Sequence, residues 1–217
     1  MKSLSIILPG RLDSKRLPNK LILPFGKSCL WSIACEKLFQ IKGFETAVLV
    51  RDEKLIRIAK SYGLKVIYRT KESIKVDGPL NLIFEGVKEL SSSHVMWINP
   101  CLSLLKVSTI LKAAEFFLKS ESDYLESVKV FKNWLFDKEG NPLNEVDYEA
   151  LNTKTIKPVF QGAHAFRIFK REDFLKDNIM LRPGHLVYPI SDLEAVDVDT
   201  KYDYIIAGCV FEKTESR

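Results

Sequence analysis

Short apolar runs alternate with amphipathic helical segments up to residue 118 of this 217-residue chain. Such alternation is typical of parallel βαβ units, whose crossovers are nearly always right-handed. It predicts an α/β protein, a three-layer α/β/α sandwich around a mostly parallel, Rossmann-like sheet. The predicted strands are Leu4–Leu8, Thr46–Val50, Leu64–Tyr68 and His94–Asn99, and the predicted helices cover 30–41, 55–62, 80–90 and 110–118, with Ser28 and Asp52 as caps of the first two.

The regular alternation ends after Ser120. Residues 133–157 have weak periodicity and mixed charge, and a long irregular segment inside a compact domain is usually functional or interfacial. We therefore expect one domain over 1–217, with 133–157 as an excursion that serves dimerisation or substrate binding. The elements expected around it are strands Asp123–Phe131, Val159–Ile168 and Ala195–Val198 and helices Arg171–Lys176 and Tyr202–Phe211.

Composition excludes several classes of protein. The net charge of +5 is mild and most basic residues are scattered, so no nucleic-acid-binding stripe is indicated. The four cysteines form no Cys-x-x-Cys pair, which favours a reducing compartment. No run approaches the ~20 apolar residues of a membrane span, and Pro9 and Arg11 come too early for a signal peptide. We expect a cytoplasmic protein.

The loop after the first predicted strand is the strongest functional signal. Pro9 and Gly10 end the strand, and the cations Arg11, Lys15, Arg16 and Lys20 follow with one acid, Asp13. Ligands of open α/β sheets bind at the carboxyl ends of the strands, where cations and free backbone N–H groups suit phosphate. Lys and Arg that merely solubilise a surface turn are the alternative. The loop has neither a Walker A nor a dinucleotide glycine pattern, which disfavours an unrelated dinucleotide-binding module.

The same stretch resembles the N-terminal signature of the cytidylyltransferases that activate acidic sugars. Its pattern, Pro-x-Arg-x-x-Ser-Lys/Thr-Arg-Leu-Pro-x-Lys, is similar to that of 3-deoxy-manno-octulosonate cytidylyltransferases, spore-coat polysaccharide nucleotidyltransferases and, more loosely, acylneuraminate cytidylyltransferases. The matching residues are Pro9, Arg11, Ser14, Lys15, Arg16, Leu17, Pro18 and Lys20.

A second motif, Asp197-Val-Asp199-Thr200, lies near the C-terminus. If it ends a strand, the two carboxylates project to the same side and can hold Mg²⁺ together with substrate phosphates. The alternative is that Asp199 or Thr200 only caps the last helix. The motif resembles the Asp-Ile-Asp-Thr-x-x-Asp motif of acylneuraminate cytidylyltransferases, in which the first two acids bind the metal. The resemblance implies Mg²⁺ on Asp197 and Asp199.

The resemblance covers nearly the whole chain and implies roles for further residues. Arg11 and Lys20 are implied as catalytic, and the nucleotide-binding residues are Arg11, Ser14, Lys15, Lys20, Arg69 and Asn99. Gln161-Gly-Ala resembles the Asn-Gly-Ala strand near the sugar, so Gln161 is implied to bind it. The implied partners are CTP, an acidic sugar and a second copy in a homodimer. The predicted reaction joins CMP to the sugar and releases pyrophosphate.

The segment from Asn99 to Leu105 departs from the family pattern. The family usually shows Gln-Pro-Thr-Ser-Pro-Leu-Arg, whereas Leu105 stands here at the arginine and the first two hydroxyls after the proline are absent. This departure motivates the alternative hypothesis of a degenerate homologue that binds a nucleotide or sugar without turnover. His94, His164 and His185 lack zinc spacing and are interpreted as structural.

Overall fold

The structure is a computed structural model that describes residues 2–74, 79–149, 152–154 and 156–215. It confirms the predicted α/β class, a seven-stranded sheet covered by helices. Residues 75–78, which precede the helix predicted over 80–90, and residues 150, 151 and 155 of the excursion lie outside the described ranges. Within those ranges, no helix combines the length and apolarity needed to cross a membrane.

The strands form one mostly parallel sheet and a small hairpin. They are β1 Leu4–Pro9, β2 Pro24–Phe25, β3 Ser28–Cys29, β4 Glu45–Val50, β5 Val66–Tyr68, β6 His94–Ile98, β7 Leu125–Phe131, β8 Val159–Lys170 and β9 Leu186–Pro189. The sheet order is β5-β4-β1-β6-β8-β7-β9, in which β8 runs antiparallel to both of its neighbours and the other pairings are parallel. β2 pairs with β3 in the hairpin.

Helices cover both faces of the sheet because β1 is apolar on both. Ile6 and Leu8 point into the larger core cluster, which includes residues of α1, α2, α4 and α6, and Ile7 points into the smaller one. The smaller cluster includes Phe84, Val87 and Phe174. The helices are α1 Leu30–Gln40, α2 Glu53–Ser61, α3 Leu80–Ile83, α4 Val107–Leu118, α5 Arg171–Asp177 and α6 Lys201–Glu215, with 3₁₀ helices at Lys20–Ile22 and Glu85–Glu89.

Two predicted elements are wrong. The helix predicted over 80–90 is helical but not continuous: the short α3 is followed by a 3₁₀ helix in which Gly86 packs directly against β5, where an added Cβ would lie 2.6 Å from Ile67. The strand predicted at Ala195–Val198 is irregular, since Ala195 N–H bonds to Ser191 in a turn and Val198 N–H bonds to Cys101. The sheet edge is formed instead by β9, which the pattern did not predict.

The predicted helix caps also differ from the observed ones. Cys29, not Ser28, precedes α1, and its sulfur accepts the backbone N–H of Ser32. Asp52 does precede α2, but its carboxylate makes no capping bond and accepts the N–H of Leu12 in the opening loop. A predicted cap thus holds the loop that carries the cations.

Glu45 joins neighbouring segments at the amino ends of the strands, whereas the cationic loop lies at their carboxyl ends. Its carboxylate accepts hydrogen bonds from Ser5 at 2.7 Å, from the Ser91 backbone and hydroxyl at 3.0 Å, and from Lys65 at 2.9 Å. Burial opposes ionisation, but these hydrogen bonds outweigh it and lower the pKa of Glu45 to about 2.

Replacing Glu45 should therefore cost stability in a pH-dependent way. Glu45→Gln should lower the free energy of unfolding by about 1 kcal/mol at pH 7, since the site is partly solvated. A depressed carboxyl pKa stabilises the fold above the usual value of about 4.3, and that stabilisation is lost as the pH falls toward 2. Urea denaturation from pH 7 to pH 3 measures this effect. A wild-type advantage that does not shrink on acidification would contradict the assignment.

Candidate active site

A cleft of about 660 Å³ opens at the carboxyl ends of the central strands. It receives the residues that follow β1, β5 and β6, where open α/β sheets bind ligands. One part of its wall is cationic and another is apolar. The polar and charged lining residues are Arg11, Ser14, Lys15, Arg16, Lys20, Arg69, Asn99, His164, Arg167 and Asp199, and the apolar ones include Leu80, Ile83, Phe84, Trp97 and Met180.

The cationic loop begins at Gly10 because only glycine fits there. A Cβ on Gly10 would lie 2.6 Å from the ring of Trp31, which is fully buried and held by a 2.9 Å bond from its indole N–H to Leu55. Gly10 N–H bonds to Leu49 on β4 at 3.0 Å. The loop therefore leaves the sheet in direct contact with the fixed ring of Trp31.

The far end of the loop is closed by Asn19. This residue adopts a left-handed conformation with φ of 57°, which asparagine tolerates better than most residues, and its N–H bonds back to Leu12. Leu12 is itself held by Asp52 at 3.2 Å. The backbone is thus fixed on both sides of Ser14, Lys15 and Arg16, all of which line the cleft.

Two loop cations reach the carboxylate of Asp199. Lys20 Nζ lies 2.9 Å from Asp199 Oδ1 and also donates to the Val198 carbonyl at 2.9 Å, and Arg16 lies 2.8 Å from Asp199 Oδ2. Burial lowers the pKa of Lys20, but Cys101 and Asp199 outweigh it and raise the pKa overall. Lys20 is therefore a fixed, charged group at the cleft.

Asp197 lies close to Asp199 and, like it, is partly buried. Its Oδ2 accepts the side-chain N–H of Asn99 at 3.0 Å, and its Oδ1 is buried and has no hydrogen-bond partner among the described residues. Burial and then the charge of Asp199 raise its pKa, although Lys20 and Asn99 oppose the change. The arrangement leaves one carboxylate oxygen beside a second acid without a donor, which is the environment in which a cation is favourable.

The last helix is capped without either acid. The Thr200 backbone and hydroxyl donate to Asp203 at 2.7 and 2.8 Å, and the Asp203 N–H donates back to the Thr200 hydroxyl at 3.2 Å. This reciprocal pair satisfies the start of α6. The alternative that this motif caps the last helix is therefore confirmed for Thr200, whereas the side chain of Asp199 pairs with Lys20 and Arg16. The premise that both acids end a strand is wrong, and the close approach of 197–199 to the turn at Cys101 brings them together instead.

Arg69 is a buried arginine that lines the cleft. It is 3% exposed, and its guanidinium donates to the Ser73 hydroxyl at 3.1 Å and to the Gly10 carbonyl at 3.5 Å. Burial and the nearby charge of Arg11 lower its pKa to about 10, so Arg69 is charged at neutral pH. It joins the turn after β5 to the turn after β1.

The sugar residue implied by the sequence does not reach the cleft. Gln161 is exposed on β8, where it pairs with Lys129, and the cleft wall is formed instead by His164 and Arg167 of the same strand. The strand bulges between them. Gly162 pairs with Val128 and Arg167 pairs with Glu126, so residues 163–166 face Ser127 alone.

The bulge explains why sequence reasoning missed His164. The Ser127 hydroxyl accepts the N–H groups of Ala165 and Phe166 at 3.1 and 3.0 Å, which closes the bulge. His164 has φ of 50°, is exposed, and lines the cleft. A non-glycine residue in this conformation is a recognised mark of functional sites, but strand alternation gives no sign of it.

The unusual segment after β6 is mostly core. Asn99 folds back so that its side-chain oxygen accepts the Cys101 N–H at 3.0 Å, and Leu102 and Leu105 are 3% and 2% exposed. Burial is the largest cause that raises the pKa of the Cys101 thiol to about 12, so it is protonated at neutral pH. Where the family usually shows an arginine, this chain therefore has a core side chain, Leu105.

Comparison with known proteins places the chain in a family. A family model described as cytidylyltransferase matches residues 5–167, most of the chain. This protein belongs to the cytidylyltransferase family. The matched region includes the cationic loop, Arg69, Asn99 and the β8 bulge, and it ends before Asp197 and Asp199.

Individual relatives match the cytidylyltransferase along its whole length. A pseudaminic acid cytidylyltransferase from Campylobacter jejuni is 24% identical over 98% of this chain and 97% of its own. A CMP:2-keto-3-deoxy-manno-octonic acid synthetase solved with CTP has a TM-score of 0.72 at 11% identity and covers 98% and 99% of the two chains. A 4-diphosphocytidyl-2C-methyl-D-erythritol synthase from Anaerococcus prevotii has a TM-score of 0.66 at 16% identity over 100% and 97%. The solved structures confirm the fold.

The close packing at Gly10 predicts a sharp contrast between two glycine substitutions. Gly10→Ala should reduce the free energy of unfolding by about 1–3 kcal/mol, because the new methyl group overlaps the fixed Trp31 ring. Gly208→Ala, within α6, places its Cβ 3.8 Å from Phe25 and should be neutral or stabilising. Thermal denaturation of both variants checks this prediction. Equal stability of the two would show that the loop does not depend on the Trp31 contact.

Proposed function

We propose that this cytidylyltransferase transfers CMP from CTP to an acidic sugar and releases pyrophosphate. The observation that supports this proposal best is one cleft lined by the cations of the loop after β1, the Asp199 carboxylate and a separate arginine on β8, with Asp197 behind it bonded to the lining residue Asn99. The relatives add support, since one is a pseudaminic acid cytidylyltransferase and another makes a CMP-linked keto-acid sugar. The non-catalytic alternative gains no support from them.

In the proposed reaction a sugar hydroxyl attacks the α-phosphorus of CTP. A bond forms between that oxygen and phosphorus, the hydroxyl proton passes to solvent water, the bond from phosphorus to the bridging oxygen of the β-phosphate breaks, and pyrophosphate leaves with the electron pair of that bond. Arg11, Lys15 and Lys20 lie where they can neutralise this charge as it develops, because the loop is fixed at both ends. Catalysis then depends mainly on positioning and electrostatics.

The acids fit a magnesium ion, although the described residues contain no group of three His, Cys, Asp or Glu side chains that could hold a metal. Mg²⁺ needs only one or two carboxylates when substrate phosphates and waters complete its shell. Asp197 Oδ1 is buried without a donor, and Asp199 faces the cleft. When bound by Asp197 and Asp199, Mg²⁺ would neutralise and orient the phosphates. Lys20 and Arg16 hold Asp199 in position.

The direct test is pyrophosphate release from each of the four nucleoside triphosphates in the presence of pseudaminic acid or 2-keto-3-deoxy-manno-octonic acid and Mg²⁺. We expect release that requires both CTP and at least one of the acids, because the family is named for cytidylyl transfer and two relatives act in acidic-sugar activation. CTP binding without turnover in every combination would instead favour the degenerate homologue. We place the reaction in the cytoplasm, where CTP is made.

The same assay separates a metal-binding role of Asp199 from a helix-capping role. Asp199→Asn should lower turnover on the order of 100-fold and raise the Mg²⁺ concentration needed, because it removes one charge from the acid pair. Its free energy of unfolding should fall by about 1–2 kcal/mol, because the charge that pairs with Lys20 and Arg16 is lost, but α6 should stay folded because Thr200 and Asp203 cap it. The matched control, Asp203→Asn, should lose stability by about 1 kcal/mol and keep its Mg²⁺ dependence. Normal turnover of Asp199→Asn at ordinary Mg²⁺ would exclude the metal role.

We also propose that the excursion over 133–157 joins two copies of the chain. Phe136, Leu143 and Tyr148 are 46%, 67% and 64% exposed, and large apolar side chains grouped on one segment mark an interaction surface. Light scattering should give twice the chain mass of 24.9 kDa. Leu143→Glu should shift the mass toward the monomer by placing a charge in the interface, whereas Leu175→Glu, at an exposed apolar residue of α5, should not. A wild-type mass equal to that of one chain would contradict the proposal.

A further inference from the structure

A buried ion pair lies behind the cleft in the middle of the sheet. Arg167 on β8 donates from its Nε to Glu126 on β7, its direct cross-strand partner. The side chain of Glu126 is 5% exposed and that of Arg167 is 20% exposed. Among the described residues, Glu126 is the only hydrogen-bond partner that the Arg167 side chain has.

Three features argue that this pair does more than join two strands. Buried ion pairs contribute little net stability, because desolvation offsets their attraction. The bulge between β7 and β8 is already closed by the Ser127 hydroxyl. Within the part of the chain that the structure describes, Glu126 Oε1 is buried and has no hydrogen-bond partner, so the carboxylate is not fully satisfied by holding the strands together.

The orientation of the arginine points to the cleft. Arg167 uses Nε to bond Glu126, which leaves the two terminal nitrogens of its guanidinium for another partner. These nitrogens lie in one plane and can donate two parallel hydrogen bonds to a carboxylate. Arg167 lines the cleft, and so does Trp97, its cross-strand partner on the other side. The ring centroids of Trp97 and Phe84 lie 5.8 Å apart, and the Trp97 indole N–H is buried with no acceptor among the described residues. The arginine is therefore confined between a ring and a buried acid.

Arg167 is also separate from the phosphate loop. It belongs to β8, whereas Arg11, Lys15, Arg16 and Lys20 all follow β1, and β6 lies between these strands. A nucleotide held by the loop thus leaves a distinct cation for the second substrate.

We propose that Glu126 is a positioning residue that holds the Arg167 fork toward the cleft, where it recognises the carboxylate of the acidic sugar. This inference rests on the proposed function for the identity of the second substrate. It predicts that the affinity for the acid depends on Glu126, although Glu126 itself does not contact the substrate.

The test compares each sugar acid with its methyl ester, which lacks the negative charge. Pseudaminic acid and 2-keto-3-deoxy-manno-octonic acid, and both esters, are titrated by calorimetry into protein saturated with CTP and free of divalent metal. Wild type should bind at least one acid about 10-fold more tightly than its ester. Equal affinity for acid and ester, or no binding of either acid, overturns the proposal.

The variants separate positioning from a structural role. Glu126→Gln and Arg167→Lys should each remove most of the acid preference while changing the affinity for CTP less than about 2-fold, and the double variant should be no worse than Arg167→Lys, because the two side chains act as one unit. Glu45→Gln, a matched loss of an ion-paired carboxylate at the opposite sheet edge, should keep the preference. A Glu126→Gln protein that loses only thermal stability contradicts positioning.

Three further outcomes are also decisive. If Glu126→Gln does not fold, Arg167→Lys decides alone, and an unchanged ratio of acid to ester affinity overturns the proposal. Pyrophosphate release in a wild type that shows no preference for the acid would keep the proposed function and remove this inference. Acid preference without pyrophosphate release would do the reverse.

Discussion

The ion pair between Lys20 and Asp199 joins the first loop of the chain to the segment before its last helix. Its two partners are 179 residues apart, and Arg16 and the Val198 carbonyl strengthen the same contact. The cleft is therefore complete only when the C-terminal segment has docked beside the turn after β6. A charged lysine that is largely buried also needs this acid, because desolvation alone would lower its pKa.

The cleft places cations on two different strands of one sheet. The loop after β1 concentrates charge at a strand end whose backbone is fixed by Gly10 and Asn19. The bulge of β8 brings His164 and Arg167 to the other side of β6. A reaction that joins two anionic substrates needs such a division, since a single cluster of cations would not distinguish a triphosphate from a carboxylate.

Local patterns in the sequence predicted the parts of the fold that depend on local physics. Strands buried on both faces appear as apolar runs, and the loop after β1 follows from Pro9 and Gly10. The strand predicted at Ala195–Val198 was wrong because the residue before it makes a contact distant in sequence. The buried carboxylate of Glu194 accepts the Lys106 N–H and the Thr109 hydroxyl at the start of α4. Apolar spacing carries no trace of that contact.

The β8 side of the cleft was not predicted for a related reason. Sugar binding by Gln161, implied by motif, stays a prediction, but the bulge opposite Ser127 places His164 and Arg167 at the cleft, and only the strand pairing shows this. The Asp197 and Asp199 pair was expected on a strand, whereas an irregular segment brings the two acids together.

In the proposed enzyme one cleft binds CTP through the loop after β1 and a metal through Asp197 and Asp199. The most direct test is a crystal structure with a non-hydrolysable CTP analogue and Mg²⁺. The triphosphate should then contact Arg11, Lys15 and Lys20, and the metal should be bound by both acids. A nucleotide seated elsewhere, or a metal held without either acid, would contradict it.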